Sequence, residues 1–139
     1  MRVVVWLVLF IAAFVLLAQV GRRRIQARDD HDAAEQRASR TWPTTAGTVV
    51  TSDVISRNAG PRDSQWTMYS ALVTYRFLVG ATEHLGNQIR AGESADVVNR
   101  ASWDRPEEAA ALAARYAVGS AVTVHYDPAS PAARSCLEV

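Results

Sequence analysis

The chain has 139 residues, 49% of them apolar, and its 15 Arg and 14 acidic residues leave a formal net charge of +1. This length predicts one folded domain, and the near-neutral charge argues against binding to nucleic acid. The single cysteine, Cys136, excludes an internal disulfide and a zinc site built on paired cysteines.

The first predicted element is a transmembrane anchor at residues 1–21. Residues 3–18 carry no polar side chain, and Gln19 is the only interruption before Val20. As a helix, residues 3–20 extend about 27 Å, close to the bilayer's hydrocarbon thickness of roughly 30 Å. Their Val, Leu, Ile and Phe side chains favour insertion by about 4–8 kcal/mol. A cleaved signal peptide is the alternative, but no small-x-small cleavage site follows the segment.

A charged juxtamembrane helix or linker is predicted at residues 22–41. Arg22, Arg23 and Arg24 directly follow the anchor, where we expect them to contact anionic lipid headgroups. Together with Arg28 they outnumber the positive charges on the N-terminal side, so the positive-inside rule favours a cytoplasmic domain. Because the chain stops at Val139, we expect a single pass through the cell membrane.

A small β-rich domain is predicted at residues 42–139, after the helix-breaking pair Trp42-Pro43. Its clearest strand, residues 69–79, is apolar at every odd position, which indicates one buried face. The pair Gly80-Ala81 predicts a two-residue type II′ hairpin loop. Further strands are predicted at residues 47–56, 82–90, 120–127 and 135–139, and loops at residues 58–65 and 92–99.

The returning strand of the predicted hairpin, residues 82–90, would place Leu85 and Ile89 on one face and His84 on the other. In the later strand, residues 120–127, the alternation directs Val122, Val124 and Tyr126 toward one face.

One helix is predicted between the strands. Asp104 and Glu107 have the spacing of a capping box, Pro106 suits the first turn, and Gly119 would end the helix. The order of elements predicts a mainly β (α+β) fold. In it, a small antiparallel sheet curls into a sandwich or barrel, with the helix as plug or lid.

Several segments together resemble a known family. They are Trp42-Pro43 with Gly47-Thr48-Val49, the strand at residues 75–79, the run at residues 116–128, and Arg134 with Leu137-Glu138. They resemble a bacterial domain-of-unknown-function family, number 3592, found in small membrane-anchored proteins, across nearly all of residues 42–138. The resemblance implies a compact β-rich domain tied to a membrane helix. It implies no activity, cofactor or catalytic residue. Family members often have Gly where Ala81 stands, and many have a second membrane helix after the Leu-Glu end.

The residues able to perform chemistry are few. His84, His125 and Asp127 are weak candidates for a metal site, because they lack a ligand spacing but could meet across the sheet. No Gly-x-Ser-x-Gly motif or phosphate-binding loop occurs, so neither an enzyme nor a cofactor is predicted. Glu107-Glu108 suits a helix N-terminus, and Cys136 suits a buried position.

Two functional hypotheses follow. The first is a non-enzymatic interaction module at the membrane, in which Trp66 and Trp103 contact an unidentified membrane protein. The alternative is a small-ligand or metal-dependent site in the β-domain that uses His84, His125 and Asp127. The first is favoured because the two indoles have no catalytic partners nearby in the sequence.

Overall fold

The computed structural model describes residues 2–93 and 100–139, without the side chains of residues 2–13, 15 and 16. Most of the predicted loop at residues 92–99 therefore lies outside the described residues. Residue contacts divide the chain into two compact units, Met1–Ala34 and Glu35–Val139.

The first element is helix α1, Arg2–Ser39, which contains residues 2–21 of the predicted anchor and most of the predicted linker. Most of the side chains that define the predicted anchor lie outside the described part. Arg22, Arg23 and Arg24 are exposed on this helix. Among the described residues, no helix has the combined length and apolarity that crossing a membrane requires.

The second unit is built on one antiparallel sheet with a helix on one face. Its strands are β1 (Thr44–Ala59), β2 (Trp66–Val79), β3 (Thr82–Gly86), β4 (Ala121–Tyr126) and β5 (Ser135–Cys136), and helix α2 is Pro106–Ala114. The strand order is β3-β2-β1-β4-β5. The α+β class is thus confirmed.

The predicted sandwich or barrel is wrong, because the sheet is single and does not close. The edge strands β3 and β5 have only five and two residues. They are too short to pair with each other and close the sheet into a barrel. Within the described residues, the segments that follow them meet at an isolated bridge, Arg90 with Glu138, and Ile89 accepts hydrogen bonds from the Leu137 and Glu138 N–H groups.

Strand β2 follows the predicted alternation. Ala71, Val73, Tyr75 and Phe77 are buried and form the centre of the core. Gly80 has a φ of 62°, whereas Ala81 does not have a positive φ, which is the combination that a type II′ turn requires. Val79 pairs with Thr82 across this loop, so the predicted hairpin is confirmed.

Strand β1 is longer than residues 47–56 because it continues along β2 as far as the pair Ala59 and Trp66. A β-bulge lies at Val50, since Val49 pairs with Tyr75 and Thr51 pairs with Thr74. A bulge adds one residue to one strand and shifts the alternation that follows. Nothing in the Val-Val-Thr-Ser sequence indicates where such a shift occurs.

Strand β3 is shorter than predicted. It ends at Gly86, so Ile89 lies outside the strand. Leu85 is exposed whereas Ile89 is buried, and the prediction that they share one face of a strand is wrong. A Cβ at Gly86 would lie 2.6 Å from the Oγ of Ser135 and would meet the Tyr75 ring. The strand therefore ends where the backbone passes directly over Tyr75.

Helix α2 begins without the predicted capping box. Its N-cap is Arg105, which makes no side-chain capping bond, and Pro106 occupies the first turn as expected. The helix ends at Ala114, so Gly119 does not terminate it. Its buried Ala109 and Ala113 face the sheet, so α2 covers one face of β1 and β2 instead of plugging a barrel.

Strand β4 lies close to its predicted position, whereas β5 has only two of the five predicted residues. Val124 is fully buried, and Val122 and Tyr126 pack against the core, which confirms the predicted alternation of this strand. The Tyr126 ring lies 6.2 Å from the Phe77 ring. The core therefore sits on the face of the sheet that carries Phe77 and Tyr126.

Candidate functional site

Trp66 is the most exposed aromatic side chain of the described β-domain, with 52% of its surface accessible. It opens β2 directly after the loop at residues 60–65. Gly60 has a φ of 95°, and a Cβ there would lie 2.7 Å from Cε3 of Trp66. The indole therefore lies over the Gly60 backbone, a position that a larger residue would obstruct. One side of the Trp66 ring packs on the Gly60 backbone, and much of the rest of the ring is exposed to solvent.

Trp103 is placed differently. Its backbone N–H donates to the carbonyl of Tyr69 at 2.9 Å, and the Tyr69 N–H donates back at 2.7 Å. The two residues thus form an isolated antiparallel bridge that extends the sheet beside β2. Its half-buried side chain lines a cavity of about 250 Å³, and Ile89, Leu112 and Arg115 form other parts of the cavity wall. Trp103 therefore contributes to the fold as well as to a cavity wall.

The structure does not bring His84 and His125 together. His84 pairs with Phe77 across β3 and β2, and its ring lies 5.5 Å from the Phe77 ring, on the core face. His125 alternates with Tyr126 along β4, and Tyr126 faces the core. The two histidines therefore lie on opposite faces of the sheet. Within the described part of the chain, no cluster of three or more His, Cys, Asp or Glu side chains could hold a metal ion.

Asp127 is part of a structural cluster. One carboxylate oxygen accepts a bond from the Ala129 N–H at 2.9 Å, and the other pairs with the Arg134 guanidinium. Arg134 also contacts both oxygens of Glu35, at 2.7 and 3.2 Å. Its guanidinium lies 5.3 Å from the centre of the Trp42 ring. This Arg134 cluster joins the last turns of α1 to the turn before β5.

A second charged cluster surrounds Glu138. Its carboxylate accepts bonds from the Tyr116 hydroxyl at 2.5 Å, from Arg115 at 2.8 Å and from Arg90 at 3.3 Å. Burial alone would raise the pKa of Glu138. The hydrogen bonds and positive charges of these neighbours outweigh it and lower that pKa. Burial, and then the bond to Glu138, raises the pKa of Tyr116 well above its ordinary value. Through Arg115 and Tyr116, the cluster connects the residues that follow α2 to the C-terminal segment.

Three other buried residues with polar side chains are Cys136, Tyr75 and Arg100. Burial raises the pKa of Cys136 to about 12, so its thiol is protonated and unreactive. The Tyr75 hydroxyl donates to the carbonyl of Gln88 at 3.1 Å. Arg100 is buried and donates to the Asn87 carbonyl at 2.8 Å, and desolvation lowers its pKa.

Sequence comparison adds the family to this geometry. The family described as Domain of unknown function (DUF3592) matches residues 45–139. The chain belongs to this family. The DUF3592 region starts at the second residue of β1 and includes the rest of the sheet, α2 and the Glu138 cluster. Neither the curated proteins nor the solved structures contain a match to the chain.

The sequence indicated only part of this site. It singled out Trp66 and Trp103 as loop residues without catalytic partners, and Trp66 also as the neighbour of a polar segment. It missed the Arg134 cluster, because Glu35 and Arg134 are 99 residues apart in the chain. The sequence does show Asp127-Pro128 followed by Arg134, but an acidic residue and an arginine at such a spacing are too common to identify an ion pair.

Proposed function

We propose that this DUF3592 protein is a membrane-anchored, non-enzymatic interaction module. Residues 3–20 hold the chain in the lipid bilayer, and the β-domain presents Trp66 to a membrane protein partner. The observation that carries the proposal is the half-exposed indole of Trp66, fixed over Gly60. Trp is enriched among the residues that dominate binding energy, since it buries a large area with few rotatable bonds.

The anchor is supported by the sequence. Residues 3–18 contain no polar side chain, and three exposed arginines, Arg22, Arg23 and Arg24, follow directly. Such a charge distribution favours retention of these arginines on the cytoplasmic side, close to anionic headgroups. The proposed location of the β-domain is therefore the cytoplasmic face of the cell membrane.

The absence of catalysis is supported by how the polar side chains are used. Both carboxylate oxygens of Asp127 accept structural bonds, and Cys136 is a buried thiol. A metal or ligand site built from His84, His125 and Asp127 would need these groups on one face. The two histidines lie on opposite faces, so the interaction module is the better proposal.

Photo-crosslinking at position 66 tests the interaction directly. Trp66 is replaced by p-benzoylphenylalanine in the full chain, expressed in bacterial cells, and Val118, which is also exposed, is replaced in a control chain. We expect discrete adducts from position 66 but not from position 118. Equal crosslinking from both positions, or none from position 66, would contradict the proposal.

Alanine substitution gives a quantitative test of the same surface. Trp66→Ala should weaken co-purification of the crosslinked partner by about tenfold or more, the loss typical of an interface hot spot. Leu85→Ala is the matched control, since Leu85 is an exposed apolar residue on β3. Trp103→Ala should also weaken capture, and circular dichroism of that variant would separate lost binding from lost folding. Capture that is unchanged in Trp66→Ala would exclude the indole from the interface.

A further inference from the structure

The β1 strand has one long edge without a partner in the described chain. Its first part, up to Thr48, pairs with β4, and Val49 exchanges hydrogen bonds with Gly119 and Ser120. From residue 50 to residue 59, the described residues pair with β1 only on the side of β2. Edges of this kind leave backbone N–H and C=O groups available to another strand.

The edge has a β-bulge at its first residue, Val50, and two charged residues, Asp53 and Arg57, but it lacks other features that prevent strand pairing. Residues 50–59 contain no proline and no lysine, and their first six residues include Val50, Val54 and Ile55. Val50 and Val54 are exposed. The segment is twice as long as β3, which forms an outer strand of the sheet. The edge of β1 is therefore the stronger candidate for strand addition.

The charges along the edge are self-complementary. Asp53, Ile55 and Arg57 pair in turn with Leu72, Ser70 and Met68, so the three side chains share one face of the sheet. Neither Asp53 nor Arg57 forms an ion pair within the described residues. If two copies pair antiparallel with Ile55 opposite Ile55, Asp53 of each copy lies opposite Arg57 of the other. One two-fold axis then produces two opposite-charge pairs.

The rest of the register is compatible with the same axis. Val54 lies opposite Ser56, and Ser52 lies opposite Asn58, so no like charges meet. An isologous contact of this kind is the commonest arrangement in homodimers, because one surface patch serves both copies. Opposite-charge pairs directly across an antiparallel ladder stabilise it, whereas like charges destabilise it.

We propose that a second copy of this chain pairs with residues 50–59 of β1, antiparallel and centred on Ile55, to form one continuous ten-stranded sheet. The inference goes beyond the proposed function, since it assigns a second surface and a defined partner. It requires neither the membrane anchor nor the Trp66 contact, so it can fail or succeed independently of them.

Charge reversal tests the register. Asp53→Arg places two arginines opposite each other at both ends of the pairing, and Arg57→Asp does the same with two aspartates. We expect each single variant to dimerise about tenfold or more weakly than the natural chain. The double variant, with both substitutions in one chain, restores opposite charges and should dimerise like the natural chain.

A mixture of the two single variants provides the most specific readout. In the mixed dimer, the arginines of the Asp53→Arg chain lie opposite the aspartates of the Arg57→Asp chain, so dimers should form again. The measurement is energy transfer between donor- and acceptor-labelled full chains in detergent, followed as a function of concentration. A monomeric natural chain, or a dimer that survives both single reversals, would overturn the proposal. Failure of the mixture to recover would also overturn it.

Disulfide trapping tests the centre of the pairing without changing its charges. Residues directly opposite in an antiparallel pair have Cβ atoms about 4.5–5.5 Å apart, close to the separation in a disulfide. Ile55→Cys should therefore form crosslinked dimers on mild oxidation, while the natural Cys136 stays buried and unreactive. Leu85→Cys on β3 is the matched control and should remain uncrosslinked. Equal crosslinking at both positions would overturn the pairing through β1.

Discussion

Replacing Arg134 by alanine removes a guanidinium that contacts the side chains of Glu35, Asp127 and Trp42. The carboxylates of Glu35 and Asp127 are only 14% and 13% exposed, and both lose their positive partner. The guanidinium also leaves the face of the Trp42 ring. The substitution therefore leaves two largely buried negative charges near each other without compensation.

The size of the effect follows from this burial. Breaking a fully buried ion pair by removing one partner costs about 3–5 kcal/mol. Because the Arg134 side chain is 38% exposed, we expect a smaller loss of about 2–3 kcal/mol in the free energy of unfolding. For a domain of about 100 residues, this loss lowers Tm by roughly 10–20 °C.

The assay is thermal unfolding of the full chain, followed by near-ultraviolet circular dichroism of the buried tyrosines. Arg115→Ala is the matched control, since Arg115 is 61% exposed, pairs with Glu138 and lies 5.8 Å from the centre of the Tyr116 ring. An exposed ion pair contributes about 0–1 kcal/mol, so this variant should lose only a few degrees. A decrease for Arg134→Ala no larger than that for Arg115→Ala would refute the reasoning.

Two further variants and one labelling experiment probe the core and its charged cluster. Gly47→Ala would place a Cβ 2.7 Å from Cγ2 of Val124. We expect this variant to lose about 1–3 kcal/mol in the free energy of unfolding, measured by urea titration. Gly21→Ala is the control and should lose none, because the space around Gly21 is open. Cys136 should resist a maleimide reagent at neutral pH until denaturant is added, and rapid labelling of the native chain would contradict its burial. Because the pKa of Glu138 is lowered in the fold, its stabilisation is present above the unfolded value of about 4.3 and is lost as the pH falls through the folded pKa. Glu138→Gln should therefore destabilise the domain at neutral pH, and a difference from the natural chain that persisted unchanged in acid would be inconsistent with this.

The parts of the fold that depend on neighbouring residues could be predicted from the sequence. The period-two alternation in β2 predicted the buried Tyr75 and Phe77, because side chains of a strand alternate between its faces. Gly80 predicted the hairpin, because a type II′ turn needs a positive φ at that position. The exposure of Trp66 was also compatible with the polar residues that precede it.

The parts that depend on distant residues could not be predicted. The bulge at Val50 depends on the position of Tyr75 across the ladder, and the early end of β3 depends on how Gly86 crosses the Tyr75 ring. A capping box at Asp104 satisfied the local pattern, but the helix begins two residues later, after Arg105. The open edge of β1 and the Arg134 cluster likewise result from the order of strands and the course of the whole chain.

The central claim is that residues 3–20 keep the DUF3592 domain at the membrane. Membranes from cells that express the full chain are washed with alkaline carbonate, and the N-terminus of the retained protein is sequenced. We expect the chain in the membrane pellet with residues 3–20 intact. A chain recovered in the aqueous fraction, beginning after Val20, would contradict the account.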